Sequence, residues 1–157
     1  MNANNTYFEN LKRLGHEYEE ARVERRQRKQ QIIDTYGWDS DELRAWYEED
    51  AAATFPFPSG ACKAYRAWAD SLRYKLDELE LSDFLWDGEV ADFVNALRDA
   101  GIHSFVVTGH STALMENLHA LAANGCTMTG LCTITKQDSR WIEETPSEVQ
   151  GIRFTLA

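Results

Sequence analysis

The sequence predicts an α+β fold: helices through the N-terminal half, then a small αβαββ unit built on a mixed sheet of about three strands. Three observations carry this expectation. Apolar residues recur at alternating steps of four and three from Tyr7 to Ala21, and again along the stripe that starts at Ala61. From residue 103 the period changes, and "HSFVVTG" and "CTMTGLCTITK" read as β-branched strands flanking a helix. The chain ends on "GIRFTLA", where Ile152, Phe154 and Leu156 alternate with Arg153 and Thr155.

Element by element, the first helix is expected from Thr6 to Tyr36, with Tyr7, Leu11, Leu14, Tyr18 and Ala21 along one seam. The same register then meets Arg25 and Arg28 before returning to Ile32. Thirty helical residues span ~45 Å, more than the ~40 Å diameter of a compact chain of this size. The helix is therefore expected to protrude or to bend at Gly15. Gly37 ends it, and Asp39 or Ser40 caps a second helix within "WDSDELRAWYEEDAAA". "TFPFPSG" is a stop, because Pro56 and Pro58 cannot continue a helix. Ser59 can cap a third helix with the stripe Ala61, Tyr65, Trp68, Leu72, Leu76 and Leu79.

"SDFLWD" at 82–87 reads as a turn with apolar anchors. A fourth helix over Gly88–Ala100 buries Val90, Phe93, Val94 and Leu97 and stops at Gly101. A strand at 103–109, a helix closed by Asn124-Gly125 and a strand at 126–136 imply a right-handed parallel crossover. Residues 137–150 read as a loop, and the strand after them can pair antiparallel. The organisation is a helical region 1–87 and an αβαββ unit 88–157, together forming one compact domain.

The chain has 157 residues, 43% of them hydrophobic and 11% aromatic, a globular composition long enough to form a core without metal or disulfide. "MNANNTYFENLKRL" lacks the apolar segment of a signal peptide, and no apolar run reaches the length of a spanning helix. A cytoplasmic protein with reduced Cys62, Cys126 and Cys132, and no membrane partner, is the expectation. The net charge of −10 is uneven. Residues 1–33 carry a surplus of two positive charges, and residues 34–157 a deficit of twelve. Such a body repels a phosphate backbone.

The motif that most invites a chemical reading is Gly109-His110-Ser111-Thr112-Ala113, which follows a strand and precedes a helix. It approaches the G-x-S-x-G elbow that presents a serine nucleophile, making Ser111 a candidate catalytic residue. The order of its partners argues against this. An acid and then a His must come later, yet the one later histidine, His119, stands on the same helix and before most of the later acids. The simpler reading explains each residue: Gly109 turns the chain, and the Ser111 or Thr112 hydroxyl caps the helix. No cofactor loop is present, because "GHST" lacks the further glycines and the Lys of a phosphate loop.

No metal centre is expected either. Glu116-x-x-His119 occurs once, whereas a di-iron site needs a second copy. Cys126 and Cys132, six apart on one strand, fall on one face but too far apart to chelate one ion. His16, His103 and His110 show no ligand spacing.

Arg22, Arg25, Arg26, Arg28 and Lys29 form the strongest charged feature and are the candidates for nucleic-acid binding. The plainer reading is a solvated helix face balanced by Glu24 and by the acids of the second helix. The acidic set Asp39, Asp41, Glu42, Glu48, Glu49 and Asp50 could conversely imitate a phosphate row.

"SFVVTGHSTALMENLHALAANGCTMTGLCTITK" resembles small uncharacterised proteins common in gut anaerobic bacteria and often carried on conjugative elements. In these a strand, an S-T-x-L-M helix and a glycine-bearing strand recur. The resemblance covers roughly residues 90–157 and implies no catalytic residue or cofactor.

The functional expectation is a non-catalytic accessory or regulatory protein working through protein–protein contacts. A nucleic-acid role, through the basic helix or by acidic mimicry, is the alternative, and a small hydrolase using Ser111 comes third. A homodimer is also expected, its contact either a sheet edge or the helix seam Tyr7, Leu11, Leu14 and Tyr18.

Overall fold

A computed structural model of the chain describes residues 1–138, 140, 142 and 145–157. The elements run α1 (Thr6–Tyr36), α2 (Asp41–Ala52), α3 (Ser59–Arg73), β1 (Leu79–Leu81), a 3₁₀ turn (Asp87–Glu89), α4 (Val90–Asp99), β2 (Ser104–Val107), α5 (Leu114–Ala123), β3 (Cys126–Lys136) and β4 (Ser147–Leu156). The α+β class with N-terminal helices stands. The sheet, however, has four strands in the order β1-β2-β4-β3, one more than the sequence suggests. Two compact units divide the chain: Glu9–Pro56 forms one, and Met1–Phe8 with Phe57–Ala157 forms the other. The units part within α1, between Phe8 and Glu9, and again ahead of α3, between Pro56 and Phe57.

In the helical unit, α1 runs unbroken through Gly15. The space that a Gly15 side chain would need is taken by the Phe55 ring, 3.3 Å from an ideal Cβ. Gly15 is thus a packing site and not a hinge. The two cationic steps of the seam have a clear resolution. Arg25 pairs with Asp50 at 3.1 Å and Arg28 with Glu49 at 2.6 Å, so the seam continues as ion pairs against α2. Ser40 caps α2 as expected, its hydroxyl accepting the Leu43 N–H.

In the larger unit, the N-terminal residues supply part of the core. Phe8 is fully buried and stacks on Trp68 with ring centroids 5.1 Å apart. Helix α3 ends at Arg73, short of the full stripe expected for it. Lys75 adopts φ +55°, the Leu76 N–H reaches back to the Ser71 carbonyl, and the Lys75 N–H bonds the Leu72 carbonyl. This is a Schellman stop with a lysine where glycine is usual. Leu79 is consequently freed to enter β1, the strand that sequence periodicity had absorbed into the helix. Ser59 is the first residue of α3 and not its cap. Its hydroxyl bonds the Glu89 carboxylate instead.

Strands β1 and β2 are parallel and joined by the 3₁₀ turn and α4. Strand β4 is antiparallel to both β2 and β3. Strands β2 and β3 therefore point the same way, as a crossover requires, but β4 lies between them. It begins at Ser147, four residues earlier than its alternation suggests, because its first residues pair only with β3.

Leu79, Leu81, Phe105, Val107, Phe154 and Leu156 share the face that meets Phe93 of α4, whose ring lies 5.8 Å from Phe105. On the opposite face β4 comes close to β2. A Cβ at Gly151 would stand 2.5 Å from Val106 Cγ1 and 3.0 Å from Thr108 Cγ2. Glycine in a strand here serves close backbone approach. Gly151→Ala is expected to lower stability by about 1–3 kcal/mol through overpacking, read as a lower urea midpoint. An unchanged midpoint would mean that Val106 moves aside freely.

Candidate interaction surface

Two polar clusters lie inside the larger unit, and both have their bonds filled by the chain itself. In the first, Glu80 of β1 is buried. Thr108 donates its hydroxyl proton to it at 2.6 Å, and Lys136 of β3 meets it at 2.9 Å. The Glu80 N–H donates to Ser71 Oγ at 2.9 Å, and Lys136 Nζ lies 4.4 Å from the Tyr74 ring centroid. In the second cluster, Lys63 Nζ bonds Glu89 at 2.7 Å and the Phe84 carbonyl at 2.8 Å. Glu89 also accepts the Ser59 hydroxyl and the Trp86 N–H. Among the described residues no buried side-chain polar atom lacks a hydrogen-bond partner. Such saturated networks hold elements together.

Glu89 of the second cluster and Asp138, which lies outside both, give the fold a pH dependence. Burial pushes the Glu89 carboxyl up, but the bonds from Lys63, Ser59 and the Trp86 amide outweigh it and hold the carboxyl below its ordinary value. The Arg73 guanidinium, joined by Arg140, holds Asp138 well below the usual carboxylate range. Both groups titrate lower in the folded chain than in the unfolded one. Their stabilisation is present above the unfolded values, about pH 4, and is lost as pH falls through the folded ones. The urea midpoint should therefore fall as pH drops below about 4, and Asp138→Asn should flatten part of that slope. A midpoint that rises on acidification would contradict this.

The candidate residues of the sequence reading are scattered. Ser111 lies in the β2–α5 loop, three residues before the helix. Its carbonyl accepts the Leu114 N–H at 3.1 Å, and α5 starts from Ala113 without a side-chain cap. The expected hydroxyl cap does not form: Ala113 holds the cap position, and Ser111 meets the first amide of α5 with its backbone carbonyl and not its hydroxyl. Ser111→Ala should change stability by less than about 0.5 kcal/mol, well under the loss of a true cap. A loss above 1 kcal/mol in a urea titration would restore the cap reading.

Glu116 and His119 are exposed on α5. Cys126 and Cys132 stand on opposite faces of β3, not on one. The ladder slips between Met128 and Gly130, so Cys126 pairs with Leu156 and Cys132 with Gly151. A bulge adds one residue, and everything beyond it changes face. Of the basic run, Arg22 pairs with Glu19, while Arg25 and Arg28 pair with α2. Lys29 lies over the Trp46 and Tyr47 rings at 5.0 and 4.7 Å. Arg26 is exposed. Most of these cations are already engaged within the helical unit.

Not all the tryptophans pack. Trp46 and Trp68 are buried, whereas Trp38 and Trp86 are 70% and 65% exposed, and Trp141 lies outside the described residues.

Among the described residues, the outer edge of the sheet carries no further strand. Strand β3 is terminal in the strand order and eleven residues long, and it is exposed over most of its length. Leu131 is 87% and Met128 57% exposed. The bulge aligns both on the face of Phe154 and Ile152, with which they pair. From Cys126 to Thr135 the strand has neither a charged residue nor a proline. Charge and proline are two of the devices with which proteins blunt an edge; the bulge between Met128 and Gly130 is a third, and β3 carries it. The opposite edge is closed: β1 has three residues, all buried, and Ser71 takes the Glu80 N–H. The edge residues Met128 and Leu131 escape a reading of the sequence, although Gly130 inside a strand pattern is the signal of a bulge.

Residues 63–156 match the family model described as a domain of unknown function, DUF7698. No curated protein and no solved structure matches the chain. Among the described residues no helix is long and apolar enough to cross a membrane.

Proposed function

Because the chain belongs to the DUF7698 family of domains of unknown function, we propose its role from its surface: a non-catalytic accessory or regulatory protein that works through protein–protein contacts made at the β3 edge. The observation that carries this reading is Leu131, 87% exposed on an eleven-residue edge strand without charge or proline before its last residue. An edge of this kind adds a strand from another chain, with backbone hydrogen bonds giving affinity and alternate side chains giving selectivity. The filled polar clusters support the same reading, because among the described residues every buried side-chain nitrogen and oxygen is already bonded within the chain. A cytoplasmic location and an origin on conjugative elements of gut anaerobic bacteria belong to the reading too. Conjugation genes flanking the coding sequence would favour that origin.

The test is affinity capture from the native host with the intact chain and with Leu131→Lys, followed by mass spectrometry. The reading expects a protein recovered with the first and lost with the second. The same set of proteins recovered with both would overturn it.

A further inference from the structure

We infer that the β3 edge takes a second copy of this chain, forming a two-fold dimer in which two β3 strands pair antiparallel and the two sheets become one. This rests on the reading of β3 as the contact surface and names its partner.

Three observations single out a second copy. First, the other surface expected to associate, the α1 seam, is already engaged within the chain at three of its four positions. Tyr7 packs edge-on to Phe57, Tyr18 packs edge-on to Phe55, and Leu11 is buried. Second, the charge distribution favours like meeting like at this place. The chain carries −10, so most pairs of its surfaces repel, yet residues 117–135 contain no Asp, Glu, Lys or Arg. Lys136, which ends the strand, is turned inward to Glu80. Two copies meeting along β3 bring no like charges together, and a strongly charged partner finds nothing there to complement it. Third, an antiparallel pair of identical strands is self-complementary. Each copy offers the unpaired N–H and C=O groups that the other lacks, as a closed two-fold contact requires. It also covers Leu131 and Met128, which stand on one face only because of the bulge.

Light scattering at micromolar concentration should give twice the 18.0 kDa of one chain. Leu131→Lys and Leu131→Glu, each alone, should weaken association by more than about tenfold, since each sets like charges close to one another across the two-fold. An equimolar mixture of the two variants should restore the dimer. Because Leu131 is exposed, both variants should keep the urea midpoint that the unaltered chain shows when diluted to the monomer, since association itself raises the midpoint of a dimer; this separates lost association from lost folding. A mass near 18.0 kDa for the unaltered chain overturns the inference, as does a dimer indifferent to both substitutions. If that monomeric chain still loses a captured host protein on Leu131→Lys, the edge reading stands and only the second copy fails. If neither mass nor capture responds, both fail.

Discussion

Trp68→Ala is expected to lower stability by about 3–5 kcal/mol, the range for truncating a buried aromatic. The side chain is 4% exposed, at the centre of the α3 stripe. It stacks on Phe8 at 5.1 Å and meets Tyr65 at 5.9 Å. Its indole N–H donates to the Asn2 carbonyl at 3.3 Å, so the substitution also releases the N-terminal segment from α3. A native domain is stable by only about 5–15 kcal/mol, and the variant should therefore show a much lower urea midpoint. Phe8→Ala should act on the same contact, and the double variant should lose less than the two singles combined. A midpoint unchanged in Trp68→Ala would mean that the stack contributes nothing to the core.

Lys136→Met is expected to have an effect of similar size for an electrostatic reason. Glu80 and Lys136 are 5% and 19% exposed at their side chains, and they join the first strand of the sheet to the far end of β3. Removing the ammonium leaves a buried carboxylate with only the Thr108 hydroxyl, and breaking a buried pair in this way costs about 3–5 kcal/mol. Glu80→Gln with Lys136→Met should recover much of that loss, because no uncompensated charge remains. The measurement is a double-mutant cycle in urea at neutral pH. Additive losses in the cycle would mean that Glu80 and Lys136 are not coupled.

The proposed edge contact and these core predictions can be separated experimentally. Core variants lower the midpoint at every protein concentration, whereas substitutions at Leu131 remove only the part of it that rises with concentration through association. The glycines make the same division. Gly60 is required where α3 crosses the start of α4, since a Cβ there would lie 2.2 Å from the Glu89 carbonyl oxygen. Gly130, at φ +151° with open space around it, instead belongs to the bulge that shapes the edge.

Local chemistry alone determined much of this protein. Tyr36 and Gly37 end α1, Ser40 caps α2, and Gly101 and Gly125 close α4 and α5 with positive φ. Cys126–Lys136 forms one strand over the whole run that its composition marks. Each of these depends on a residue's own backbone preference or on a neighbour a few positions away, so each is legible in order along the chain. Tertiary structure decided the rest. Lys75 stops α3 in a conformation that glycine usually takes, and the residues beyond it became β1 only because β2 was there to pair with them. Strand β4 went between β2 and β3, and the bulge before Gly130 turned Leu131 to the face of Met128 and Cys132 away from Cys126. Glu80 found Lys136 across 56 positions of sequence. Pairing register, burial and ion-pair choice depend on which distant segment arrives alongside. A one-residue slip reverses a strand's faces without changing a single local preference.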